Sequence, residues 1–467
     1  MAKWPFKSIS YAGLHFSFKV FIGKRFGVDM RRLSKFNFWF SALLIFLLLP
    51  CLAWSETIVT GSIASNTVWD VSGSPYILEG TVTVVDGYTL TIAPGVVIKG
   101  QTSGALYIDG TLDAQGTAAE PIVFTSALDD SYGGDTNGDG SATSPAAGDW
   151  NRLRFDYANG TNILRHVVIK YAYIGIDSYR TSALLVEDSV VSDCQTYGAS
   201  INRYAPTFNQ NVFQNSSTGI LFQDGASPTI TNNTFHNLQI GIYANSSNAT
   251  IASNTLQNAG TGLQVNAFAT ITNNNFDQNT SFVMQPNGLG SLISGNEIAG
   301  IYVQGGTLLS TATMAADVPY VLEGMVTVDT GQTLTIAPGV VIKGQISGAL
   351  YIDGTLDAQG TAAEPIVFTS ALDDSYGGDT NGDGNATSPA AGDWNRLRFN
   401  YADGTNILRH VVIKYASIGI DSYRTTDLLV EDSVISDCQT YGTSINRYAP
   451  TFNRNVFQNS GQAIYAY

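Results

Sequence analysis

Sulfur is scarce in this chain: three cysteines in 467 residues, one of them, Cys51, inside an apolar leader. The other two, Cys194 and Cys438, hold the same position in two copies of one sequence, 244 residues apart. A disulfide needs Cα atoms within about 7 Å. Copies separated by so many units of a stacked fold exclude a bridge, and two buried free thiols are expected. Charge is also sparse, at 13% of residues, and cations are the rarer sign. Residues 1–55 hold eight of the 23 Lys and Arg but one of the 38 acids, Asp29, which leaves a net charge of −22 beyond them. Such a surface excludes nucleic-acid or anionic-lipid binding through bulk charge. It suits a soluble extracellular protein that meets divalent cations, with a polysaccharide or another cell-surface component as partner. No apolar run reaches the ~20 residues of a spanning helix, so membrane contact is expected only through the leader or an anchor beyond Tyr467.

The leader has a recognisable order. Met30 opens a segment with Arg31, Arg32 and Lys35, then an apolar run over 38–49, then small residues Ala53 and Ser55 ahead of Glu56. This is a secretory-signal pattern, with 1–29 read as an over-long start and Met30 as the true one. A retained membrane anchor is the alternative. A lipid-attached Cys51 is a third, disfavoured by Pro50 where lipoprotein signals want a small residue.

Residues 76–215 return at 320–459 with about nine positions in ten identical. A copy of that length marks a repeat architecture. A single catalytic centre gains little from duplication, whereas a long surface or multivalent binder gains directly. A finer period lies within. One apolar column reads Ile169, Val191, Phe213, Phe235, Leu256, Phe276, Ile298, at steps of 20 to 22 residues. A second, five residues earlier, reads Leu164, Val186, Phe208, Ile230, Ile251, Ile271, Ile293. Asn211, Asn233, Asn254, Asn274 and Asn296 precede the first column, and Gly175, Gly219, Gly241 and Gly262 follow it. Short alternation with Asn, Thr and Gly in the gaps excludes helices. Each unit is too small to bury its own face, so units stack, with like side chains about 4.8 Å apart. The asparagines are expected at corners, tolerating left-handed backbone and pairing up the column. The glycines are expected to give turns their freedom, and Phe213, Phe235 and Phe276 to share one internal file.

These columns resemble those of the right-handed parallel β-helix proteins, the group that includes pectinases. The openings of the copies, "TLTIAPGVVIKGQTSGALYIDGTLDAQGTAAEPIVFTS" with "GGDTNGDG" and "GDW", resemble the first rungs of secreted bacterial β-helix repeat proteins. The resemblance implies an all-β right-handed parallel β-helix over 76–467, and a secreted or cell-surface location of the bacterial type. The expected organisation is a cap at 56–75, a first copy over 76–304 and a second, truncated copy over 305–467.

One loop per copy carries candidate chemistry, 129–149 and 373–393. "DTNGDG" places Asp135, Asn137 and Asp139, then Asp379, Asn381 and Asp383, at alternate positions closed by Gly. Oxygen ligands at positions 1, 3 and 5 before a Gly are the first half of a calcium loop. The twelfth position is Ala146 rather than Glu, so Asp129, Asp130 or Asp149, and Asp373, Asp374 or Asp393, would have to complete the shell. Calcium is the expected cofactor; a solvated acidic turn is the alternative.

Pectinase-like enzymes work on acidic sugars with outward carboxylates, Arg and Lys, and that resemblance makes Lys170, Arg180 and Arg203 the catalytic candidates, with Asp156 and Asp188 nearby. Arg180 and Arg203 fall at equivalent places on neighbouring rungs. The polygalacturonase Gly-His-Gly is missing, His166 and His236 stand alone, and Asp156 becomes Asn400 in the second copy. Plain solvation of a strand face is the competing account. Trp150 and Trp394, beside Arg152 and Arg154 or Arg396 and Arg398, are candidates for stacking on a sugar, or for packing the loop back on the coil. Tyr171, Tyr179, Tyr197 and Tyr204 add to an aromatic surface. The expected function is a non-enzymatic, calcium-stabilised secreted or surface protein, carbohydrate-binding or adhesive. The alternative is a lyase, hydrolase or epimerase of acidic sugars.

Overall fold

Alternation of apolar and polar residues over four or five positions makes each segment a strand with one wet face, and three such strands close one turn of a coil. Val97–Gly100, Ala105–Ile108 and Thr111–Gln115 form one turn, and Ile122–Ser126, Trp150–Asp156 and Asn162–Arg165 the next. Their registers place Ile98 beside Phe124, Leu106 beside Leu153 and Ala114 beside Leu164, all in parallel pairing. The computed structural model describes residues 56–467 except 159, 182, 247 and 316; the expected signal segment at 1–55 lies outside the described residues. Among those residues the single helical element is the 3-10 turn Pro286–Gly288. The all-β parallel solenoid expected from the sequence is what forms.

The interior is made of side-chain files. Val191, Phe213, Phe235, Leu256 and Phe276 are register partners in that order. Phe213 and Phe235 stack with centroids 5.2 Å apart and planes 9° apart. Leu256 interrupts the ring stack, and Phe276 stacks instead on Phe282. The second column, from Leu164 to Ile293, is a parallel file in the same core. Full burial of each such side chain is worth roughly 1.5–3 kcal/mol, and this repeated burial is the main stabilising term. Cys194 and Cys438 are buried free thiols. Burial pushes them up to about 12 and about 11 respectively, so both stay neutral.

Two details depart from the sequence reading. The column asparagines are fully buried, and each amide hydrogen-bonds the next: Asn211 Nδ2 to Asn233 Oδ1 at 3.0 Å, Asn233 to Asn254 at 3.1 Å, Asn254 to Asn274 at 3.0 Å, Asn274 to Asn296 at 2.9 Å. The left-handed residues are the ones before them, Gln210, Asn232, Ser253, Asn273 and Gly295. The ladder therefore selects Asn for its amide, not for its backbone. Gly175, Gly219, Gly241 and Gly262 lie inside strands with ordinary φ. A Cβ on Gly219 would sit 2.5 Å from Gly241 O and 2.7 Å from the Phe235 ring. Close approach under the phenylalanine file, not turn freedom, requires glycine there.

The copies join as one continuous coil, with a shift. Ile301–Val303 stacks on Ser281–Met284, and Tyr320–Leu322 and Val341–Gly344 follow in that column. Ser281–Met284 belongs to the second face of the first copy, whereas Val97–Gly100, the twin of Val341–Gly344, lies on its first face. The second copy is thus advanced by one face around the axis. The expected cap at 56–75 is itself a rung: Thr57–Ile63 pairs with Tyr76–Val84, and Thr67–Trp69 with Thr89–Ile92.

Candidate functional site

Each insert leaves the coil after a first-face strand and returns at a tryptophan. Asp129 and Asp149 anchor its base. Buried Asp129 accepts the Thr125 hydroxyl at 2.6 Å, and Asp149 accepts the Ser126 hydroxyl at 2.7 Å and the Ala146 amide at 2.8 Å. Asp373 and Asp393 repeat these bonds. Of the residues named as completing ligands, only Asp130 and Asp374 join a cluster. Carboxylate oxygens of Asp130, Asp135 and Asp139 lie within 4.8 Å of one another, as do those of Asp374, Asp379 and Asp383. Asp129, Asp149, Asp373 and Asp393 fall outside it because their lone pairs hold the loop to the coil.

Within the cluster Asp135 accepts the amides of Gly138 at 2.7 Å and Gly140 at 2.8 Å, and both glycines are left-handed. Thr143, then the Ala142 amide and Asn137, outweigh the opposing effect of burial and hold the Asp139 carboxyl below the usual range; Thr387 leads the same effect at Asp383. Asn137 and Asn381 donate their amides to Asp139 and Asp383 at 2.8 Å. One oxygen each of Asp130 and Asp374, Oδ1, is buried without a hydrogen-bond partner.

Beneath each insert lies a lysine the sequence reading passed over. Lys99 is fully buried, and its Nζ donates to Gly134 O and, at 3.1 Å, to Thr136 Oγ1. Lys343 donates to Gly378 O. Burial lowers both lysines, opposed by Asp129, Asp130 and Asp135 around Lys99 and by Asp374, Asp373 and Asp379 around Lys343. Alternation in "VVIKG" points Lys99 out of the coil, which reads as solvent; only the fold of the insert covers it.

The tryptophans do not form a sugar platform. Trp150 and Trp394 are 1% exposed. Trp150 lies on Gly100, where a Cβ would meet its own at 2.5 Å, and its Nε1 donates to Lys170 O at 2.7 Å; Trp394 does the same to Lys414 O. They pack the insert's return onto the coil, so stacking on a ligand is ruled out.

The catalytic candidates are dispersed. Lys170 precedes the eight-residue strand Ala172–Tyr179, and Arg180 follows it; Asp188 lies at the third corner, after Leu184–Glu187. Arg180 and Arg203 do lie on adjacent rungs, since Arg180 N donates to Asn202 O. The strand between sets Lys170 on a different corner from the two arginines. Burial opposes the charge of Lys170, but Tyr171, with Asp193 and Asp129, outweighs it and raises its pKa, which disfavours a general-base role. Arg180 is engaged by tyrosines: its guanidinium lies 5.1 Å from the Tyr157 and Tyr179 centroids. Arg152 and Arg154 converge on Asp177 at 2.7 and 2.9 Å, and Arg154 stacks on Tyr179. This arginine–tyrosine ladder recurs around Asp421. Beside it Asp86, Asp109 and Asp156 line a shallow hollow. Burial, then Asp156 and Asp86, raise the Asp109 carboxyl. In the second copy Asn400 donates to Asp353 at 3.0 Å instead.

Comparison with known families agrees with this geometry. Residues 154–313 match the model of a right handed beta helix region, and residues 61–140 and 306–394 match that of a pectate-lyase like beta helix domain. The chain is a right-handed parallel β-helix protein. Among solved structures, the β-helix is similar to an alginate lyase from Paenibacillus sp. str. FPU-7, at 12% identity, 71% of this chain, 98% of that one and a TM-score of 0.22. It is similar also to a mutant tailspike protein of E. coli bacteriophage HK620 in complex with a hexasaccharide, at 12% identity, 82% of this chain, 73% of that one and a TM-score of 0.20. No curated protein matches the β-helix.

Proposed function

We propose that this β-helix is a non-enzymatic protein displayed outside the cell, whose two inserts bind calcium and whose side walls bind carbohydrate. The observation that carries the reading is the convergence of three carboxylates within 4.8 Å in both inserts. Three acids so close repel one another, and each cluster includes a buried Asp oxygen with no hydrogen-bond partner. Hard oxygens without sulfur or imidazole suit calcium. The Lys99 and Lys343 ammonium groups offset part of the charge from beneath, which argues for weak binding, with Kd about 10⁻⁴ to 10⁻³ M as in extracellular modules. The signal-like leader supports a location outside the cell.

At about 10 mM calcium such affinities stabilise each insert by roughly 1.4–2.7 kcal/mol. Titration calorimetry should find two sites per chain, and thermal melts with calcium should exceed those with chelator. Asp135→Asn with Asp379→Asn should abolish the difference. Identical melts for the unaltered protein in calcium and chelator overturn the calcium assignment.

A second reading, a lyase, hydrolase or epimerase of acidic sugars, is favoured by the pectate-lyase-like match and by the raised Asp109 carboxyl beside Asp156. Absorbance from unsaturated uronates during incubation with pectin or alginate would establish the lyase form and displace the first reading.

A further inference from the structure

Where the second copy advances by one face, the first-face column of the first copy ends. Its last two members are Phe276 and Ile298, and Ile298 is only partly buried, because Ile301–Val303 continues the neighbouring face instead. The second insert overhangs this step. Tyr302 fixes the overhang: its hydroxyl donates to Thr380 O at 2.6 Å. Between step and insert opens a groove of about 600 Å³, within the roughly 300–1,000 Å³ of small-ligand sites.

We infer that this groove binds a neutral oligosaccharide. The inference rests on the carbohydrate-binding part of the proposed function and gives it a place and a substrate class. Phe276 and Ile298 supply an apolar floor for the C–H face of a sugar ring. Asp277 and Glu297 stand at its edge and Asn381 on the insert side. Burial opposes ionisation of Asp277, but Thr280 and the amides of Asn258 and Asn279 together hold its carboxyl below the usual range. An ionised carboxylate has about four lone-pair positions, so it retains acceptor capacity for sugar hydroxyls beyond these bonds. Charge decides the class. The lining contains no Lys, Arg or His, so a uronate carboxylate would face two acids with no cation to receive it. A metal is disfavoured too, since Asp277 and Glu297 join no three-ligand cluster among the described residues. The Tyr302–Thr380 bond preorganises the wall before a ligand arrives, which lowers the entropic cost of binding.

The whole protein should be applied to an array of neutral hexose oligosaccharides and uronic-acid oligosaccharides, and the bound members titrated by calorimetry. Neutral members should bind. The double variant Gln278→Ala with Glu297→Ala, both exposed positions in the groove lining and outside the insert, should weaken them about tenfold or more by removing hydroxyl partners. Asn245→Ala, an exposed position away from both the groove and the inserts, should leave affinity unchanged, and unaltered melts of all variants would show that the coil is intact. Neutral-glycan binding that survives the double variant, or a preference for the uronic members, overturns the groove assignment while carbohydrate binding by the protein stands. Binding to neither class overturns both.

Discussion

Replacing Asn254 by Ala would test whether the buried amide ladder holds neighbouring turns together. Asn254 is 1% exposed and makes four side-chain hydrogen bonds. Its Oδ1 accepts from Asn233 N at 2.9 Å and Asn233 Nδ2 at 3.1 Å; its Nδ2 donates to Ile230 O at 2.9 Å and Asn274 Oδ1 at 3.0 Å. Alanine would strip these from the Asn233 amide and the Ile230 carbonyl. Three of the four partners keep another bond: Asn233 Nδ2 also donates to Phe208 O, Asn274 Oδ1 also accepts from Asn254 N, and Ile230 stays in its parallel ladder opposite Ile251. The stranded Asn233 amide costs about 1–3 kcal/mol and each of the other three lost bonds about 0.5–1.5 kcal/mol, so the variant should lose roughly 3–5 kcal/mol locally. In a solenoid the loss stays near the altered turn, and a global melt would dilute it. Native-state hydrogen exchange is the suitable assay. Amides of the turns around Asn233 and Asn254 should exchange at least about a hundredfold faster, while those near Asn406 and Leu428 stay unchanged. A local effect below about threefold would mean that water fills the gap at no cost, and the ladder argument would fail.

Phe235→Asp should cost about 4 kcal/mol or more by placing an unpaired charge in the phenylalanine file, and limited proteolysis should then cut near Phe213 and Leu256; resistance equal to the parent would refute it. Asp156→Asn should stabilise the first copy by about 1 kcal/mol at neutral pH, since it reproduces the Asn400–Asp353 bond of the second copy and removes a like charge from Asp109; slower exchange around Asp109 is the readout, and faster exchange the refutation. Burial raises the folded-state pKa of Cys194 from 9.0 to about 12, so its stabilising share is complete below the ordinary thiol value and declines as pH climbs through that interval. Stability of the parent relative to Cys194→Ala should therefore fall between pH 9 and 11, and a rise would contradict the assignment.

Periodicity alone made the coil legible. A step of 20 to 22 residues carrying one apolar position fixes which residues stack, because a parallel ladder repeats one register turn after turn. The file from Val191 to Phe276 and the amide pairing of the asparagines follow from that pattern. The acidic inserts were visible as well, since Asp135, Asn137 and Asp139 are close in sequence. What sequence could not supply depends on contacts made across turns. Lys99 looks solvent-facing until the insert folds over it, and Trp150 looks like a platform until Gly100 receives it. Lys170, Arg180 and Arg203 look like one set of candidates until the strand Ala172–Tyr179 puts Lys170 on a different corner from the two arginines. The one-face advance at Ile301, and the groove it opens, leave no trace in the period, because nearly identical copies can stack in more than one rotational phase. The sequence determined the turn and its interior, which are local and repeated. Tertiary structure decided which turn meets which, and therefore what the surface gathers.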